Sequence, residues 1–285
     1  MNTHICKGCV LLLYVRIFST LMKTPVTYWG GKQQLTSEIL RLIPHHVQYD
    51  EPFFGGGAVF FAKQPSEIEF INDINGEMVN FYRILKRNFI ELKDEVDCTL
   101  HSEFQHQQAK DIYANPLQHS SILRAWAVWM LSKQSMYAIL GNSWCVEINR
   151  NRAEQFQRAK EAFTIVYARR LERTSIFCRD AINVIQTTDT PTTFHYVDPP
   201  YYNSNCGHYS GYSIEDYKCL LNMLSGLQGM FLLSSYPSDI LSDYVQRNRW
   251  KTRQLTMNKS AGIGDKTEVL TWNYNEDEPK QGVLF

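Results

Sequence analysis

The stretch VQYDEPFFGGGAVFFA, residues 47–62, decides the fold. Val47 to Phe53 reads as a β-strand that runs into a glycine-rich turn, and Ala58 to Ala62 opens a helix. A second strand, Ile68 to Ile71, ends at Asn72-Asp73, and Met78, Phe81, Tyr82 and Leu85 follow at helical spacing. Strand, helix, strand, helix is the opening of a doubly wound α/β sheet. Upstream, Leu35, Ile39 and Leu42 share one face of a helix spanning Gln33 to Leu42.

Downstream the rhythm changes. Phe89 to Arg173 reads as mostly helical: an apolar run from Leu123 to Leu131, a glycine-containing loop from Met136 to Val146, and a charged helix from Asn151 to Arg173. Strands return at Ser175 to Cys178, Thr193 to Val197 and Met230 to Ser234, with helices at Ile182 to Ile185 and Ile214 to Leu227. Trp250 to Thr256 and Glu268 to Tyr274 pattern as a closing hairpin. The expected organisation is an extension at 1–22 (Met22 being a candidate initiator), an α/β domain at 23–88 and 174–275, a helical insert at 89–173, and a tail at 276–285.

Bulk properties narrow the class. With 285 residues and 44% hydrophobic content the chain can bury a sizeable core, and 20% charged residues is ordinary for a soluble globular protein. The 29 basic and 29 acidic residues cancel, so any polyanion must be met by a local patch rather than by overall charge. Seven cysteines, mostly scattered singly, point to a reduced cytoplasmic protein. Cys6 and Cys9 lack a second pair or a histidine cluster, so no metal site is expected. The apolar run from Cys9 to Val15 falls short of the roughly 20 residues a bilayer demands, and no membrane role is expected.

Four segments carry chemistry. In Glu51-Pro52-Phe53-Phe54-Gly55-Gly56-Gly57-Ala58, glycines let the backbone approach a ligand closely, and Glu51 can face an ammonium group; a plain tight turn would look similar. Asp73 follows at the distance from which a ribose-binding acid acts in dinucleotide-type folds, and it also suits a helix N-terminus. Asp198-Pro199-Pro200-Tyr201 follows an apolar strand directly. Its prolines stiffen the turn and leave carbonyls as acceptors, so the Asp198 carboxylate and Pro199 carbonyl suit the two N–H groups of a planar amine, with Tyr201 to stack on the ring. Tyr28-Trp29-Gly30-Gly31-Lys32 sets two aromatics and a cation before a helix, as a ligand clasp or a simple glycine turn.

In this order the four segments resemble the Dam-like, D12-class DNA adenine-N6 methyltransferases, from about Thr24 to Tyr274. The resemblance implies a Rossmann-like S-adenosylmethionine-dependent methyltransferase sheet with an inserted, mostly helical target-recognition domain. It implies cofactor contacts at Tyr28, Trp29, Gly30 and Lys32, at Glu51, Pro52, Phe53, Gly55 and Gly57 on the methionine side, and at Asp73 on the ribose. Phe177 and Asp180 would lie beside the cofactor adenine, and Asp198, Pro199, Pro200 and Tyr201 would be catalytic, with Asp198 also near the cofactor. The target adenine would be flipped from duplex DNA. Tyr202 to Tyr212 (with Asn203, Asn205, His208 and Tyr209) reads as a loop, either over the flipped base or an ordinary one at the surface. No metal is required.

Within the insert, Lys133, Gln134, Ser135 and Asn142 are candidates for base edges. Arg150 and Arg152, with Arg158, Lys160, Arg169, Arg170 and Arg173, are candidates for phosphates. Arg247, Arg249, Lys251 and Arg253 form a second basic cluster. Other readings are a methyltransferase of RNA adenine, cytosine N4 or protein glutamine, or a non-catalytic DNA-binding relative. Asp198 argues against cytosine N4 and glutamine enzymes, which favour Ser and Asn there, and the intact tetrad against the non-catalytic form. The family resemblance places the protein in a bacterium or phage, with or without a restriction partner.

Gln281, Leu284 and Phe285 end the chain in a pattern similar to a bacterial sliding-clamp-binding peptide. A pull-down with purified clamp should recover the full chain and not a chain ending at Lys280; equal recovery would remove the idea.

Overall fold

A computed structural model describes residues 21–202, 212–257 and 266–275. Residues 203–211 and Gln281, Leu284 and Phe285 lie outside the described residues.

Seven strands form one sheet: β1 (Gln48–Glu51), β2 (Ile68–Asn72), β3 (Thr174–Phe177), β4 (Thr193–Val197), β5 (Met230–Ser235), β6 (Lys251–Met257) and β7 (Lys266–Trp272). Their order is β3-β2-β1-β4-β5-β7-β6, and β7 runs antiparallel to both neighbours while the other pairings are parallel. This is the doubly wound sheet expected from the sequence. The order reverses between β1 and β4, and in such sheets the crevice at that reversal, beyond the carboxyl ends of the strands, is where ligands bind.

The strands show why the sheet is covered on both sides. Phe194 and Tyr196 of β4, Leu232 of β5, and Leu270 and Trp272 of β7 join one core. Their alternates Val197, Phe231, Leu233 and Val269 join the other. Period-two burial into two cores is what a sheet sandwiched between helices requires.

The helices are α1 (Thr36–Leu42), α2 (Ala58–Ala62), α3 (Gly76–Arg87), α4 (Phe89–Cys98), α5 (Glu103–Ala114), α6 (Ser121–Gln134), α7 (Arg152–Ala162), α8 (Val166–Arg170), α9 (Ala181–Thr188), α10 (Ile214–Ser225) and α11 (Asp239–Asn248). The insert helices do not build a core of their own. Leu92, Val96, Ala109 and Trp129 pack into the same cluster as Phe61, Phe81 and Tyr82. The charged helix expected from Asn151 to Arg173 is two helices. The chain leaves helical geometry at Phe163 (φ −82°, ψ 91°), whose ring is buried against Trp129, Phe81 and Tyr167. Helix α11, capped by the Ser238 hydroxyl, is an element the sequence reading did not anticipate.

Two buried ionic groups tie the layers. Arg170 forks onto Glu69 of β2 at 2.5 and 2.8 Å and bonds the Phe60 carbonyl, and Lys63 meets Glu69 at 2.6 Å. Arg170 therefore anchors the end of the insert rather than offering its charge to a phosphate. In the sheet, His195 is fully buried between Asp50 (2.8 Å) and Asp189 (3.4 Å).

Burial pushes the His195 pKa down, but the bonds to Asp189 and Asp50 outweigh it and hold the imidazole above its ordinary 6.5. Below pH 6.5 the folded and unfolded chains both carry that proton, and the ion pairs contribute in full. As pH rises through the folded value the contribution is lost. His195→Gln should destabilise by about 3 kcal/mol at pH 6, since it leaves buried carboxylates without their partner. Thermal denaturation from pH 6 to 9 should show the gap to the native chain narrowing.

Candidate active site

The carboxyl ends of β1, β2 and β4 bring three of the four sequence segments to one crevice, and the segment before α1 covers it. At the end of β1, Glu51 is 2% exposed and accepts a hydrogen bond from Tyr49 at 2.7 Å. Burial pushes its pKa from 4.5 to about 8; the Tyr49 bond opposes this and Asp198 adds to it. Among the described residues no ion pair involves Glu51, so the carboxylate suits a ligand cation.

The turn that follows is held from several sides. Gly55 and Gly57 have φ of +46° and +67°, which L side chains adopt with strain. A Cβ on Gly55 would lie 3.0 Å from the Tyr28 ring, so the glycine is what lets the upstream segment close onto the turn. The Gly55 N–H donates to Asp73 Oδ2 at 2.8 Å, Tyr82 donates to the Gly55 carbonyl, and Asp73 Oδ1 accepts from the Asn75 N–H. Asp73 thus ties the glycine turn to the end of β2, while Asn75 is the residue that caps α3. Burial raises the Asp73 pKa, and the two backbone donors partly offset it. Asn72 bonds the Pro52 carbonyl and both the N–H and the carbonyl of Arg179, which locks the exits of β1, β2 and β3 together.

At the end of β4, Asp198 accepts the Lys32 ammonium through both oxygens, at 2.7 and 2.9 Å. The same nitrogen donates to the Gly30 carbonyl at 3.0 Å and stands 5.0 Å from the centre of the Tyr201 ring. The Tyr201 hydroxyl donates toward Asp198 at 3.1 Å and also meets Ser234 and Glu268, and Tyr236 packs edge-on against its ring at 4.3 Å between centroids. Burial lowers the Lys32 pKa, but Asp198 and Glu268 outweigh it, and the side chain stays a cation at neutral pH. Burial raises the Asp198 pKa; Lys32 opposes this and Glu268 adds to it. Ser234, Tyr236 and Glu268 were not singled out from the sequence. Glu268 opens a strand-like run with no motif around it, and only the antiparallel return of β7 beside β5 carries it here.

The remaining candidates fall at the margins. Phe177 stacks on Phe70 at 5.7 Å, with the Arg179 guanidinium 4.5 Å from its centre, and Asp180 caps α9 through the N–H groups of Ile182 and Asn183. Phe53 packs edge-on to Tyr212, and Trp29 meets Tyr137 of the insert at 5.8 Å.

In the insert, Gln134 and Ser135 are buried. Gln134 bonds the Leu100 carbonyl, the Ser102 N–H and the Trp144 indole, and Ser135 bonds His106. Both are committed to holding the loop, and neither has a side chain at the surface for a base edge. Lys133 is half-buried, donates to Thr27 at 3.3 Å, and has its pKa pushed by burial down to about 8. It lines a cavity of about 380 Å³ with His101, Tyr137 and Arg152. Arg150 and Arg152 pair with Glu147, and Asn142 bonds the Met136 carbonyl. Tyr137 and Ala138, both in the left-handed region, turn this loop outward.

A family model for the D12 class N6 adenine-specific DNA methyltransferase matches residues 28–254. The chain belongs to that family. The type II methyltransferase M1.LlaDCHI of Lactococcus lactis subsp. cremoris is 29% identical over 88% of this chain and 95% of its own length. The DNA adenine methylase of Escherichia coli K12 is 21% identical over 84% of this chain and 90% of its own. The DNA N-6-adenine-methyltransferase of Escherichia phage P1 is 28% identical over 66% of this chain but a quarter of its own. Among solved structures, a putative methyltransferase from Escherichia coli aligns at a TM-score of 0.34 with 9% identity. For this D12-class chain, membership makes it an adenine-specific DNA methyltransferase. No described helix is long and apolar enough to cross a membrane.

Glu51 makes a quantitative expectation possible. Its folded value near 8 against an unfolded value near 4.5 means that the native chain keeps a proton which the unfolded chain releases. Stability then falls between those values, by up to about 1.4 kcal/mol per pH unit. Glu51→Gln should flatten that dependence and raise the melting temperature more at pH 8 than at pH 5, read by thermal denaturation across the range.

Proposed function

We propose that the chain transfers a methyl group from S-adenosylmethionine to N6 of an adenine flipped out of duplex DNA at a specific sequence. The observation that carries this reading is the Lys32 nitrogen. A primary N–H donor is held on both oxygens of a half-buried carboxylate at the end of β4, above an aromatic ring. An exocyclic amine requires the same combination of acceptor and flat face.

The residues present fit the cofactor. Glu51, buried and without an ion-pair partner among the described residues, suits the amino group of its methionine portion. Gly55 and Gly57, held by Tyr28 and Asp73, give a turn that a backbone-hugging ligand can approach. Asp73 suits ribose hydroxyls, and the Phe177 ring suits an adenine edge. When bound, the cofactor supplies a methyl group that its sulfonium already makes electrophilic.

The chain's own work is on the amine. Asp198 and the Pro199 carbonyl accept its two N–H groups. This fixes the nitrogen lone pair toward the crevice, and orientation of that kind supplies much of the barrier reduction. The same acceptors stabilise the positive charge that develops on the nitrogen during transfer, until one N–H proton is lost and the methylated amine is neutral again. Pro200 keeps the turn rigid, and Tyr201 stacks on the base. Residues 28–32 reach across to the carboxylate through Lys32 and leave it half-buried.

DNA contact belongs to the 89–173 insert, at Lys133 and Arg152, which line the cavity beside Tyr137, and at Asn142 and Arg150. A lysine whose charge is disfavoured by burial gains from a phosphate neighbour. Gln134 and Ser135 act there through the loop they hold.

The test uses purified protein, unmethylated duplex DNA and S-adenosylmethionine tritiated on its methyl, with digestion of the product to nucleosides. Label should appear in N6-methyladenine and fall by at least about a hundredfold in Asp198→Ala, the scale at which loss of one charge-stabilising acceptor is felt. Label in cytosine would keep the fold and overturn the base. Label on RNA or protein alone would overturn the substrate.

A further inference from the structure

Asp198 has two claims on it. It is the acceptor assigned above to the target amine, yet both its oxygens already hold the Lys32 ammonium, at 2.7 and 2.9 Å. An arriving amine therefore has to share or displace a cation that is itself buried, on a carboxylate that is half-buried. A buried ammonium does not leave a carboxylate unless another acceptor receives it, since an unpaired buried charge is strongly disfavoured.

Such an acceptor is present. Glu268 of β7 is fully buried, and its Oε1 lies 3.6 Å from the Lys32 nitrogen, a shift of about one ångström from hydrogen-bond range. The carboxylate is aimed there by its neighbours. The Ser234 hydroxyl of β5 donates to Oε1 at 2.6 Å, and the Tyr201 hydroxyl meets the same oxygen. Tyr201 thereby links the two carboxylates, because its hydroxyl also lies 3.1 Å from Asp198. One ammonium stands between two carboxylates that share a phenol.

We propose that Glu268 is a positioning residue for the transfer, taking the Lys32 ammonium as the target amine arrives so that Asp198 is free to accept the amine's N–H. The cluster then keeps one cation for its two carboxylates until charge develops on the amine, which the second carboxylate helps to balance. Glu268 acts through Lys32 and Tyr201 and does not touch the base. This rests on the reading of Asp198 as the acceptor of the adenine amine.

The experiment compares binding to two duplexes carrying the target sequence mapped from the wild-type product. One has adenine at the target position and the other has purine, which lacks the 6-amino group; S-adenosylhomocysteine is present in both. The native enzyme should prefer adenine by about tenfold or more, the worth of a hydrogen bond to a charged acceptor. In Glu268→Gln the preference should fall toward one, with purine affinity unchanged and kcat reduced. Glu268→Asp, which keeps the charge, should retain most of the preference. Ser234→Ala, which removes the donor that aims Glu268, should fall between, and it carries the test with the Asp variant if the Gln variant does not fold. A Gln variant that keeps the preference would overturn the proposal. So would equal loss of affinity for both duplexes, the mark of a purely structural residue. A native enzyme that leaves adenine unlabelled would instead overturn the underlying reading, and that is seen before any variant is made.

Discussion

The Lys32 ammonium, set between the half-buried carboxylate of Asp198 and the buried one of Glu268, is the contact on which the rest of the crevice depends. Carboxylates withdrawn from water are tolerated when a cation and hydrogen bonds replace their hydration. Here the cation comes from a segment well before the sheet begins, so satisfying the charges also draws residues 28–32 across the strand ends. That closure brings the Tyr28 ring against the turn at Gly55, where a side chain would be both strained and tightly crowded. The glycine turn after β1 and the Asp198–Tyr201 turn after β4 are thus parts of one arrangement, coupled through a short upstream segment.

The same crevice gathers four acidic side chains at the ends of four strands: Glu51, Asp73, Asp198 and Glu268. Burial raises the pKa of the first three. Such groups weaken a fold and are concentrated where ligands supply the missing partner. Elsewhere the chain answers buried charge internally, as with His195 between Asp50 and Asp189, or Glu69 between Lys63 and Arg170. Glu51 stands apart from these pairs, and the contrast marks the crevice as a place built to receive something cationic.

The insert is joined to the sheet by packing rather than by a flexible tether. Its helices share a core with α3, and Arg170 fastens its end to β2. The surface presented beside the crevice is consequently held in register with the catalytic residues. Gln134 and Ser135 hold the loop from within, while the left-handed Tyr137 and Ala138 carry it outward toward Trp29.

Much of this was legible in the residues themselves. Period-two and period-3.6 patterns marked the strands and most helices, because burial on one face leaves that trace in any amphipathic element. Glycines before a helix and a proline pair after an apolar strand marked two turns, because few residues allow those backbones. The charged run after Asn151 concealed a break at Phe163, since what bends the chain there is the ring's burial against Trp129, which no local pattern encodes. Gln134 and Ser135 looked like surface polar residues, because a sequence does not say which amides are used inside. Local chemistry determined the strands and the two turns that follow β1 and β4. The tertiary structure alone decided that Lys32, Asp198 and Glu268 meet, because strand order, and not sequence distance, sets which charges must neutralise one another.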